Sequence, residues 1–148
     1  MLKICIGLTM AVVLLLSYGI SCAQQEAPPV SHGGPVSDYV NLIDNLRAAG
    51  ATVDPAGDVT QPFFSVKGQV IKVNGEDVQV FEYSDEAAVE AEAELVSPDG
   101  SSIGTSMVSW IAPPHFYNAG KLIMLYVGEN SAVTDILESI VGSQFAGK

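Results

Sequence analysis

The sequence predicts an α+β fold, with about four antiparallel strands in two β-hairpins packed against three helices in the order αββαββα. Three observations carry this reading. Apolar residues recur at helical spacing near residues 39–46, 89–96 and 133–141. Two β-rich runs, 66–73 and 78–83, flank Asn74-Gly75, the strongest short hairpin cue. A further apolar run at 121–127 follows a second turn signal, Asn118-Ala119-Gly120. Both periods occur within one chain of single-domain length, so the economical arrangement is one domain over residues 37–148 with a sheet packed on helices.

The first helix starts after Ser37, a good N-cap, and carries Tyr39, Leu42, Ile43 and Leu46 on one stripe before Gly50 closes it. Ala51-Thr52-Val53 has the composition of a short strand, and Asp54-Pro55-Ala56-Gly57-Asp58 reads as a turn. In the first hairpin a four-residue loop, Asn74-Gly75-Glu76-Asp77, sets Val73 against Val78 and Ile71 against Val80. A two-residue loop sets Lys72 against Asp77 instead. The hydrophobic match favours the four-residue register. Phe81 and Tyr83 point to the opposite face, which is therefore expected to be covered at least in part.

Ser84 is expected to cap a second helix over residues 85–96, and Ser97-Pro98-Asp99-Gly100 supplies turn chemistry at its end. The second strand pair is expected at 107–111, resuming at Phe116 and Tyr117, and at 121–127. Pro113-Pro114 places the first of these at an edge or a bend, because proline cannot donate to a ladder. The last helix spans about 132–141, capped by Asn130 or Ser131 and ended by Gly142.

Ahead of the domain lies an export signal over residues 1–22. Lys3 precedes an apolar run at 4–16, and small residues follow. That run is too short for the ~20 residues of a spanning helix. Two cleavage readings compete. In one, Cys22 becomes the acylated first residue of a lipoprotein, although Gly19 stands where a lipobox carries a branched apolar residue. In the other, Ser21-Cys22-Ala23 is an A-x-A-like site and the chain is freely secreted from Gln24. Cys5 leaves with the signal, so Cys22 has no internal disulfide partner, and an unpaired cysteine just past the apolar run favours lipidation. Residues 23–36, rich in Pro, Gly and polar side chains, read as a flexible tether. Ala23 after the cysteine favours outer-membrane sorting in a host that has an outer membrane.

Loss of Lys3 with the signal leaves Arg47, Lys67, Lys72, Lys121 and Lys148 against seventeen acidic residues, one unit more negative than the −11 of the whole chain. Nucleic acid and anionic headgroups are therefore unsuitable partners, since both require a basic footprint. Glu86, Glu90 and Glu94 recur along one face of the second helix with no Lys or Arg among them. That stripe has the charge for weak cation binding or for docking a basic partner, but reads first as a solvated face in an acidic protein. No metal-ligand cluster of recognised spacing is present, and no cofactor is implied.

His115 is the sole histidine of the domain. With Asp99 and Ser106 or Ser109 it has the residue types of a hydrolytic triad, yet no Gly-x-Ser-x-Gly elbow accompanies them. Aromatic residues gather at Phe63-Phe64 and at Trp110 with Phe116-Tyr117. Such clusters belong to a core or, beside prolines on an edge, to a recognition surface made of Trp110, His115, Phe116 and Tyr117.

The stretches Gln61-Pro62-Phe63-Phe64-Ser65-Val66-Lys67-Gly68-Gln69, then Val73-Asn74-Gly75-Glu76-Asp77-Val78-Gln79-Val80-Phe81-Glu82-Tyr83, and Leu122-Ile123-Met124-Leu125-Tyr126-Val127-Gly128 resemble small exported bacterial proteins classed only as hypothetical or putative lipoproteins. The likeness covers most of the domain, rests on turns and strand cores, and implies no catalytic or ligand residues. The expectation is an extracytoplasmic, non-enzymatic binding or scaffolding protein, held to a membrane by a lipid on Cys22 and meeting an envelope partner. A soluble secreted binder or inhibitor is the alternative, and a small hydrolase around His115 the third reading.

Overall fold

The computed structural model describes residues 34–148. The expected signal, the acylated Cys22 and most of the tether lie outside the described residues. The fold is α+β, as expected, with three helices and an antiparallel sheet, but the sheet has six strands rather than four. The helices are α1 (Tyr39–Ala48), α2 (Glu86–Ala93) and α3 (Ser131–Val141). The strands are β1 (Val53–Val59), β2 (Gly68–Val73), β3 (Glu76–Glu82), β6 (Pro114–Ala119), β7 (Leu122–Val127) and β8 (Ala146–Gly147), in the spatial order β1-β2-β3-β7-β6-β8. A separate two-residue hairpin is formed by β4 (Ser102–Ile103) and β5 (Ser106–Met107).

The alternation of each strand builds two cores. Ile71, Val73, Val78, Val80, Tyr117, Met124 and Tyr126 face α1 and α3, where Leu42, Leu46, Val133 and Leu137 close over them. Phe81, Phe116, Ile123 and Leu125 face the other way, beneath Val89 of α2 and the chain around Phe64, Val96 and Ile103. The expected cover over Phe81 and Tyr83 is therefore real, and the sheet is the middle of three layers. Central β7 reads Leu-Ile-Met-Leu-Tyr-Val with no polar position because neither of its faces meets water.

Several expectations are corrected. Asp38, not Ser37, caps α1, its carboxylate accepting from the Asn41 amide at 2.9 Å. Asp85 does the same for α2 through Ala88, and that helix stops at Ala93. Asn130 caps α3. The segment 54–58 is strand rather than turn: β1 is a sheet edge, which tolerates Pro55, and a bulge between Pro55 and Gly57 absorbs the irregularity. The first hairpin takes the two-residue loop, pairing Lys72 with Asp77 and Val73 with Glu76. The two registers differ by two residues, so both leave the same side chains on the same face, and hydrophobic matching cannot choose between them. The turn chooses: Asn74 at φ 52° and Gly75 at φ 89° have the left-handed conformations whose twist matches the flanking strands. In the second pair, 107–111 is mostly irregular and the strand beside β7 begins only at Pro114, whose missing N–H does no harm at a first strand position.

Candidate functional site

Strand β6 separates the residues that the sequence grouped as a surface. Phe116 and Tyr117 are fully buried, on opposite faces of the sheet, so they belong to the two cores and not to a recognition surface. His115 is partly buried at the start of β6, opposite Tyr126, with the two rings stacked at 5.8 Å. Its Nε2 lies 3.1 Å from the Gly128 carbonyl oxygen. Nδ1 lies 2.6 Å from the side-chain amide of Gln144. Both nitrogens are thus engaged by groups that are neither serine nor carboxylate.

Asp99 is engaged elsewhere. Its Oδ1 accepts from the Ser97 hydroxyl at 2.8 Å, the Ser101 hydroxyl at 2.8 Å and the Ser101 amide at 3.0 Å. The Ser101 amide, then the two hydroxyls, stabilise the ionised carboxylate and draw its pKa down to about 2. The hydrolytic constellation is not assembled, because its carboxylate and its imidazole serve separate networks.

Trp110, like His115, is partly exposed. Its Nε1 donates to the Gly100 carbonyl at 2.7 Å. The indole meets Phe63 and Phe116 edge-on, at centroid separations of 6.0 and 5.8 Å. Phe63 continues to Phe64, Phe64 to Phe81, and Phe116 to Phe145. The two aromatic groups seen in the sequence are therefore one chain of rings, from Phe81 through Phe64, Phe63 and Trp110 to Phe116 and Phe145, with Trp110 at its partly exposed middle.

Beside Trp110 lies a cleft of about 300 Å³, lined by Asp99, Ser101, Trp110, Ala112, Pro113, Pro114 and Lys148. Sequence reasoning did not find it, because its walls come from three distant stretches; the Ser97-Pro98-Asp99-Gly100-Ser101 spacing, which puts hydroxyls on both sides of a carboxylate, was the signal available. Beside the cleft, Met107 and Ile111 are 90 % and 100 % exposed. Isolated exposed apolar side chains are ordinary; Met107 ends the β4–β5 hairpin and Ile111 directly follows Trp110.

Glu86, Glu90 and Glu94 all stand in solvent. Glu86 and Glu90 border a shallow polar depression of about 230 Å³ with Asn118, Ala119 and Gly120, and among the described residues no group of His, Cys, Asp or Glu is placed to hold a metal ion. Among those residues, too, no helix is long and apolar enough to cross a membrane. No protein-family model, curated protein or solved structure matches this chain.

Proposed function

We propose that this chain is an exported envelope protein, anchored by a lipid on Cys22, whose domain has a non-enzymatic binding or scaffolding role. The observation that carries the binding part is the placement of the apolar loop relative to the point where the N-terminal chain enters. Ser37 is fixed at the β6–β7 turn, where its carbonyl accepts from the Lys121 amide at 2.9 Å. Trp110 lines a cleft with Pro114 at the opposite end of β6, and the adjacent Ile111 is fully exposed. Six strand residues at ~3.4 Å each separate the two ends. A domain held at one end with exposed apolar side chains at the other is suited to engage a partner away from its own membrane.

Support for the anchor comes from Lys3, the apolar run at 4–16, the single cysteine after it and the Pro/Gly-rich segment leading to Val36. Several acyl chains hold firmly, whereas one binds only marginally. The test is fractionation of the host with intact mass of the recovered chain. Acyl mass on an N-terminal Cys22, with release from membranes in Cys22→Ser, is the expected result. An unmodified chain starting at Gln24 replaces the anchor with ordinary secretion. For the binding role, a photoreactive side chain at position 111 is expected to give one discrete crosslinked product in intact cells, and an Ile111 surface that crosslinks to nothing removes that role.

A further inference from the structure

We propose that the cleft beside Trp110 is a binding site for a small zwitterion, in which Asp99 takes an organic ammonium group, Lys148 takes the acidic group and Trp110 forms the wall for the body between them. This goes beyond the partner-binding role, since it requires neither the anchor nor the exposed side chains of Met107 and Ile111.

The cleft has the volume of the smallest ligand sites, which span ~300–1,000 Å³. Its anionic pole is built in an unusual way. Three donors converge on Oδ1 of Asp99, where one is enough to form a turn, and none of the three goes to Oδ2. The carboxylate is therefore held in one orientation and kept ionised, with its second oxygen available to a ligand. Such preorganisation lowers the ordering cost of binding.

The aromatic wall is equally fixed. The bond from Nε1 to Gly100 and the contacts with Phe63 and Phe116 prevent the indole from collapsing into the cleft. An ammonium group beside both an aromatic ring and a carboxylate gains from each. The cationic pole is Lys148, whose backbone amide donates to the Pro114 carbonyl at 3.0 Å and so seats the residue at the rim. The donors to Asp99 are serines, and no ion pair joins it to Lys148. A simple cation leaves Lys148 unused, and a simple anion meets a strongly acidic domain. A zwitterion satisfies both poles.

Trp110 is the only tryptophan in the chain, so its emission reports on this cleft alone. The protein isolated from its host is titrated with glycine betaine, and separately with tetramethylammonium and acetate as the two halves of that probe. A saturable change with betaine is expected, with each half about tenfold weaker or more. Asp99→Asn is expected to weaken the betaine response about tenfold, and Lys148→Gln to reduce betaine to the level of tetramethylammonium. Ala112→Leu fills the cleft while leaving every Asp99 hydrogen bond in place, and it is expected to abolish the response in a protein with unchanged circular dichroism. No saturable change up to about 100 mM betaine, or an equal response in Asp99→Asn or Ala112→Leu, overturns the proposal.

Discussion

Gly68 stands opposite Phe81 across β2 and β3, and a Cβ added to Gly68 would fall 2.6 Å from the Phe81 ring. The glycine is thus the floor against which Phe81 packs, and Phe81 in turn begins the chain of rings that passes through Trp110. Gly68→Ala is expected to destabilise the domain by about 1–3 kcal/mol, the usual cost of forcing extra volume into a packed core. In a Phe81→Leu background the same alanine should cost clearly less. Denaturant titration of the four proteins checks this, and equal costs in both backgrounds would place the strain elsewhere.

The hairpin between β2 and β3 separates two contributions that lie side by side. Lys72 and Asp77 form an ion pair at 2.7 Å, but both side chains are about half exposed or more, so Lys72→Ala is expected to change stability by about 0.5 kcal/mol or less. Gly75, at φ 89°, sits where an L side chain is strained, and Gly75→Ala is expected to cost about 1 kcal/mol or more. Thermal unfolding of the two variants should therefore rank them Gly75→Ala below Lys72→Ala. The opposite order would mean that the charge pair, not the turn, sets the register.

Tyr117 is fully buried beneath α3, and its hydroxyl has no hydrogen-bond partner among the described residues. Burial, then the carboxylates of Glu138 and Asp135, push its pKa up to about 12. Below pH 10 the phenol is neutral whether the chain is folded or not, so it adds no pH dependence there. Between pH 10 and 12 the unfolded chain ionises first, so stability falls as pH rises through that window. Tyr83 is shifted in the same direction by burial and Glu92 and adds to the effect. Tyr117→Phe is expected to be neutral or more stable by about 1 kcal/mol at pH 7, because an unsatisfied hydroxyl is removed, and to show a shallower alkaline loss. Urea midpoints at pH 7, 10 and 11 decide it; a large loss at pH 7 would reveal a hydrogen bond to an ordered water.

How much of this was legible in the sequence follows from which interactions are local. The three helices, the β2–β3 hairpin and the β6–β7 pair were visible because stripes, caps and turn residues lie within a few positions of one another. The exact cap was missed at α1 because Ser37 and Asp38 are both good caps and only the backbone chooses. Strand β1 was hidden because Pro55-Ala56-Gly57 has turn composition, and only an edge position makes it acceptable in a strand. The two-residue β8 depends wholly on β6 being there to receive it. Of the expected surface, Trp110 alone survives as a wall of the cleft. Phe116 and Tyr117 alternate about the strand and so cannot share a face, a fact that becomes decisive only once both faces of the sheet are known to be covered. Asp99 and Lys148 are brought to one cleft by the fold and not by any spacing.

The two margins of the sheet end differently. On one side β1 presents Asp54, Pro55, a bulge and Asp58, and on the other β8 extends for only two residues. A neighbouring copy that approached the β1 margin would find a missing amide, a broken repeat and like charge in place of a ladder to extend. At the β8 margin it would find too short a template to nucleate on. At the β1 margin, edge-to-edge pairing is therefore opposed by geometry rather than by dilution.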